Sequence, residues 1–145
     1  MKKINKENIL IRKVNISDFG QIFSLWKKAG LNISNLEKEF SDMQITVKMN
    51  PTSCLVLVRD KTIIGAALGA FNGRRGWVYH LAIHPDFQQE GYGSLLLQKV
   101  EEELRRKGAH RVHLGVAFTN LKVLPFYEKC GYSVVNDALW LGKNI

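Results

Sequence analysis

The chain has 145 residues, 46% of them apolar and 23% charged, with a net charge of +8. That length suits one domain spanning residues 1–145 with a sizeable core, and that balance excludes a disordered chain. No run of 18 apolar residues occurs, and the basic start MKKINKENILIRKV lacks the apolar stretch and cleavage site of a secretion signal, so no membrane span and a cytoplasmic location are expected.

ILIRKVNI alternates apolar and charged residues and predicts a first strand. Ser17 is placed to cap a helix with Asp18 in its first turn, Phe19, Ile22, Phe23 and Trp26 recurring at helical spacing until Gly30. Residues 34–49 predict a second helix, stopped by Asn50-Pro51. SCLVLVRD and KTIIGAALGAF flank Asp60-Lys61 as an antiparallel hairpin, and Asn72 to Gly76 form the next turn. A strand from Trp77 to His84 closes at Pro85. After the turn carrying Gln88, Gly91 and Gly93, a helix sets Leu96, Leu97, Val100 and Leu104 on one face. Its other face offers Glu101–Arg105, Glu102–Arg106 and Glu103–Lys107 as i,i+4 pairs, and Gly108 ends it. RVHLGVA predicts a strand, Leu121 to Lys129 a short helix, and YSVVN and ALWLGK two closing strands. The expected fold class is α/β (α+β): a mixed, mainly antiparallel sheet of about seven strands flanked by about four helices.

Cys54 and Cys130 are the only cysteines and are expected to be reduced; His80, His84, His110 and His113 show no metal-site spacing, so no metal is expected. The positive charge favours an acidic partner, either nucleic acid or a small polyphosphate. No aromatic–basic stacking pattern or helix-turn-helix signature accompanies it, which leaves nucleic acid the weaker choice.

The most informative segment is WVYHLAIHPDFQQEGYGSLLLQKV, residues 77–100. Strand, glycine turn and helix in succession leave unpaired backbone N–H groups at a helix N-terminus, a ready anion site. A dinucleotide turn would need a small residue where Leu96 stands. A P-loop would need Gly-Lys-Ser/Thr, but Ser94-Leu95 follow Gly93.

A third pattern fits. Gln88-Gln89-Glu90-Gly91-Tyr92-Gly93 resembles motif A of the GCN5-related N-acetyltransferase (GNAT) family, Gln/Arg-x-x-Gly-x-Gly/Ala, and LAIHPDF is similar to the strand ending that precedes it. The segment from Asn120 through Tyr127 to Gly131-Tyr132 resembles motif B, and IRKVNISDFGQIFSLW is of the family's N-terminal type. The NGRRG turn and LWLGK resemble those of small bacterial acetyltransferases of undefined substrate.

The resemblance implies acetyl-CoA as co-substrate. Backbone N–H groups of Gln89, Glu90, Gly91, Tyr92, Gly93 and Ser94 would hold its pyrophosphate, with the Gln88 amide on the phosphates and the Glu90 side chain in solvent. The strand Leu81-Ala82-Ile83 would splay from its neighbour and bind the cofactor, with backbone groups of Leu81 and Ile83 pairing with the pantetheine arm and acetyl carbonyl, or it is only a buried strand. Tyr127 would protonate the departing thiolate, or it packs beside Phe126. Asn120 would contact the cofactor, act as a helix N-cap, or do both. The positions where relatives commonly carry a glutamate base are Trp77 and Gly115 here, leaving Tyr79, His80, His113 or water. The expected reaction is direct attack by a primary amine, most simply of a small molecule, with Cys54 and Cys130 not acting as nucleophiles. A protein N-terminus as acceptor, as in ribosomal-protein acetyltransferases, and a non-catalytic CoA-binding sensor are the alternatives. Asp18, Glu37, Glu39 and Asp42 are candidates for an acidic acceptor cleft. Monomer and homodimer are both compatible with the chain.

Overall fold

The computed structural model describes residues 8–145, which gather into two compact units, one ending at Gly115 and one running from Val116 to Ile145. The first contains, in chain order, β1 (Ile9–Lys13), α1 (Phe19–Lys28), α2 (Leu36–Met49), β2 (Cys54–Arg59), β3 (Thr62–Phe71), β4 (Gly76–Ile83), α3 (Tyr92–Arg106) and β5 (Val112–Leu114). The second holds a 3-10 stretch, Phe118–Val123, followed by α4 (Leu124–Lys129). The sheet runs in the order β1-β2-β3-β4-β5, antiparallel except for the parallel β4–β5 pair. The α/β class and the mixed, mainly antiparallel sheet are as expected, but the described residues form five strands where about seven were predicted. YSVVN and ALWLGK form no strand. The second unit contains no strand among its described residues to receive them, and a lone hairpin is marginal in water.

Alternation along β3 separates two faces of the sheet. Ala66 and Leu68 point toward α1 and α2, where they join Cys54, Val56, Ala82, Ile22, Trp26 and Met43 in one buried cluster. Gly65 and Gly69 point the other way, under α3. A Cβ on Gly65 would meet Leu96 Cδ2 at 3.4 Å and Ile83 Cδ1 at 2.7 Å; one on Gly69 would lie 2.6 Å from Val100 Cγ1 and 2.7 Å from the Ser53 carbonyl. The apolar stripe of α3 therefore lies directly on the backbone of the sheet.

Local signals account for most element ends, with four corrections. Asn15, not Ser17, opens the first helical region: its Oδ1 accepts from the Ser17 N–H at 3.2 Å, while Asp18 Oδ2 accepts from the Asn15 N–H at 2.8 Å. This capping box encloses a 3-10 turn, Ile16–Asp18, that leads into α1. The β4 strand stops at Ile83, and His84 caps the 3-10 turn Pro85–Phe87, its Nδ1 accepting from the Asp86 N–H. On α3 the contacts formed by Glu102 and Glu103 are i,i+3, to Lys99 at 3.3 Å and Arg106 at 2.8 Å. Lys107 turns inward, donating to Ser53 Oγ at 3.1 Å and Asn50 Oδ1 at 3.3 Å, and burial lowers its pKa. Finally, β5 spans only Val112–Leu114, with His113 buried between two half-buried neighbours.

The buried Asp18 carboxylate receives both Arg12 Nη groups, at 2.8 and 3.0 Å. These bonds hold its carboxyl below the usual carboxylate range, against the opposing effect of burial. A depressed folded pKa contributes stability that is present above the unfolded value of about 3.9 and is lost as pH falls through the folded value. The urea midpoint of the wild type should thus exceed that of Asp18→Asn near neutrality and converge toward it in acid. A constant gap down to about pH 2 would contradict this linkage. On the opposite face, Gly69→Ala should destabilise by about 1–3 kcal/mol in urea unfolding, because neither Val100 nor the Ser53 carbonyl has room to yield.

Candidate active site

Two features of β4 make its C-terminal end unusual. Pairing with β5 stops at Val78–Leu114, so Tyr79 to Ile83 continue without a β5 partner. On the β3 side, Leu68 faces Tyr79 and Ala66 faces Ala82, which leaves His80 and Leu81 opposite Ala67 alone. That two-against-one arrangement is a β-bulge, and His80 sits in it at φ 53°, a left-handed conformation rare for a residue with a Cβ. Leu81 is half-buried, and Ala82 and Ile83 are buried.

The chain then enters the glycine turn. Gln89 (φ 62°) and Gly91 (φ 87°) are both left-handed and bracket Glu90. Successive N–H groups in such a turn converge into an anion-binding concavity. Gly91 is the N-cap of α3, and no side chain caps it; its carbonyl accepts the first helical bond, from Leu95 N–H at 3.1 Å. The N–H groups of Tyr92, Gly93 and Ser94 therefore precede the helical ladder and point out of the helix mouth. Gly93 itself lies within α3 with an ordinary negative φ, so only Gly91 is required by conformation. The Gln88 side chain is committed to the protein, its Nε2 donating to the Ile83 carbonyl at 3.0 Å. It braces the turn against the end of β4 instead of reaching outward as expected. Glu90 is half-buried, not in open solvent.

Sequence reasoning did not single out Arg59. From the end of β2 its Nη1 donates to Tyr92 Oη at 3.2 Å, and its guanidinium lies 5.2 Å from the centre of the Phe87 ring. Two aromatic residues flanking the turn thus hold a permanent cation beside it. The signal could not be local, because Arg59 and Tyr92 are 33 positions apart.

Of the potential bases, Tyr79 is exposed and stacked on Trp77 at 6.4 Å, and His113 is buried with its ring 5.0 Å from Trp77. His80 Nε2 lies 3.3 Å from Glu39 Oε2, and its ring meets that of Trp26 edge-on at 4.6 Å. The four acids considered for an acceptor cleft do not form one group: Asp18 is held by Arg12, Asp42 by Lys38 at 2.8 Å, Glu37 is exposed in the first turn of α2, and Glu39 is buried beside His80. Cys54 is fully buried, and burial pushes its thiol up to about 11, which leaves it without nucleophilic character.

In the second unit, Tyr127 belongs to α4, whose end explains the Gly-aromatic pair that follows. Gly131 (φ 96°) donates to the Glu128 carbonyl, and Tyr132 N–H donates to the Tyr127 carbonyl, both at 3.0 Å. This is a Schellman cap, completed by the Tyr127–Tyr132 ring contact at 6.0 Å. Burial pushes the Tyr127 phenol up to about 12, with Cys130 adding to the rise. Asn120 is not an N-cap. It interrupts the 3-10 stretch at φ −129°, ψ 33°, its N–H donating to the Ala117 carbonyl.

Among the described residues, no three His, Cys, Asp or Glu side chains gather as a metal site, and no helix is long and apolar enough to cross a membrane. The profile of the acetyltransferase (GNAT) family matches residues 19–132. An acetyltransferase of Pectobacterium atrosepticum is 33% identical over 139 residues, covering 93% of this chain and 94% of that protein. Two solved structures share the fold. One is an acetyltransferase from Clostridium acetobutylicum with acetyl-CoA (TM-score 0.73, 19% identity, 92% of this chain and 96% of that one). The other is an aminoglycoside 6'-N-acetyltransferase from Acinetobacter haemolyticus (TM-score 0.75, 14% identity, 94% and 99%). With the profile spanning most of its length and a relative one-third identical over 93% of it, the chain belongs to the acetyltransferase (GNAT) family.

Proposed function

We propose that the protein transfers the acetyl group of acetyl-CoA directly to a primary amine of a small molecule. The observation that carries this reading is the uncapped mouth of α3 behind left-handed Gly91, next to the unpaired end of β4. The N–H groups from Gln89 to Ser94 would take the pyrophosphate, aided by about 0.3–1 kcal/mol from the helix dipole. Arg59, fixed between Tyr92 and Phe87, would add a charge-assisted contact to the phosphates.

Acetyl-CoA supplies an activated thioester. Along Leu81 to Ile83, free main-chain groups would align the pantetheine arm. The Ile83 carbonyl is occupied by Gln88, so the N–H groups of this stretch would carry the contact to the acetyl oxygen as charge develops there. As the amine nitrogen bonds to the acetyl carbon, the C–S bond breaks, and Tyr127 would deliver its phenolic proton to the departing sulfur. A phenol carries its proton at neutral pH and so has one to give. Asn120 would contact the cofactor. The aminoglycoside acetyltransferase among the structural neighbours supports a small-molecule acceptor, with the fold alone as the link.

Thiol release from acetyl-CoA across a panel of primary amines tests the activity. Turnover with at least one small amine is expected, and CoA binding without turnover on any would replace this reading with that of a non-catalytic CoA-binding module. Titration calorimetry with CoA should show about a tenfold loss of affinity in Arg59→Met, and a larger loss in Gly91→Val, which forces a β-branched residue to positive φ. Tyr127→Phe should lower kcat at least about a hundredfold while CoA affinity stays near wild type. Full activity in that variant would exclude the phenol as the acid.

A further inference from the structure

The bulge in β4 changes the direction of one side chain. Val78 packs on the α3 side of the sheet, Tyr79 faces the other way, and regular alternation would return His80 to α3. The extra residue instead carries His80 to the side of α1 and α2, against Trp26 and Glu39. Bulges are used in this way, to re-aim a side chain beside a reacting centre. Here the re-aiming requires a left-handed backbone at a residue other than glycine, which persists only where its surroundings enforce it.

The partner is equally specific. Glu39, in the first turns of α2, is only 7% exposed. One carboxylate oxygen accepts from the Ser34 N–H at 2.8 Å, and the other lies 3.3 Å from His80 Nε2. A buried carboxylate at that nitrogen favours the Nε2–H tautomer and leaves the Nδ1 lone pair as the proton acceptor. The pair stands at the first residues of β4 beyond its last contact with β5, immediately before Leu81. Of the other candidates, Tyr79 is stacked on Trp77, and the buried His113 ring lies tilted against the same indole.

We propose that His80 is the general base of the acetyl transfer and that Glu39 is its positioning residue. This rests on the acetyltransferase reading given above. As the amine nitrogen bonds to the acetyl carbon and the C–S bond breaks, the proton leaving nitrogen goes to His80 Nδ1. The departing thiolate takes up a proton, and the imidazolium returns its own to solvent afterwards. The pair replaces the glutamate absent at Trp77 and Gly115, with the carboxylate now contributed by α2.

The experiment uses His80→Gly, a substitution that relieves the left-handed strain and leaves space for a free base. Its kcat should fall about a hundredfold or more, CoA affinity should stay within about twofold of wild type, and added imidazole should restore turnover in proportion to its neutral form. His80→Asn, also tolerant of this backbone, should show the same loss. In Glu39→Gln, kcat should drop about tenfold at unchanged KM, and the ¹⁵N shifts of neutral His80 should report loss of the Nε2–H preference present in wild type. Wild-type turnover in either His80 variant, loss that imidazole does not reverse, or loss together with CoA binding would overturn the assignment. A wild-type protein inactive on every amine would instead remove the acetyltransferase reading beneath it, a result visible before any substitution is made.

Discussion

The close seating of α3 on the sheet is the constraint on which the rest of the first unit depends. Leu96, Val100 and Leu104 rest against Gly65, Gly69 and Gly76, where no Cβ holds the helix away. The other face is filled by Trp26, Ile22 and Met43, all essentially buried. Helix and strand are thereby fixed in register, and the connection from Ile83 to Tyr92 has to turn sharply. Left-handed Gln89 and Gly91 and the brace from Gln88 to the Ile83 carbonyl are how the backbone makes that turn. The open N–H groups at the helix mouth follow from the packing beneath them.

Three polar groups in the interior are matched in detail. Asp18 takes two bonds from Arg12 and one from a backbone N–H. Ser53 links Lys107 to the Gly69 carbonyl, and Glu39 lies between a backbone N–H and His80. The first two tie elements of the scaffold together: β1 to the start of α1, and the end of α3 to β2 and β3. The third faces the part of β4 that no β5 residue covers. Similar physics of burial thus serves packing in two places and, as we read it, chemistry in the third.

Features that depend on neighbouring residues were legible in the sequence. The spacing of Phe19, Ile22, Phe23 and Trp26 marks the buried face of α1, Asp60-Lys61 marks a two-residue hairpin turn with both residues at positive φ, and Gly91 marks the start of α3. Period-two alternation predicts a strand through His80 but cannot register a bulge, so the direction of that side chain was hidden. Arg59 meets Tyr92, and Glu39 meets His80, only because the sheet brings distant segments together. Ser17 and Asn15 both have capping side chains, and Asp18 decided between them by closing the box on Asn15. YSVVN and ALWLGK have strand composition without a strand edge in their own unit, and composition names no partner.

The Schellman cap on α4 has a dynamic consequence. Six residues amount to less than two turns, far below the length at which a helix persists by its own hydrogen bonds. Order at Tyr127 is maintained from behind, by Gly131 and by the ring of Tyr132, more than by the helix itself. Such a segment opens by local fluctuation well before the glycine-seated sheet unfolds, so its amides will exchange with deuterium on a faster clock than those of β3.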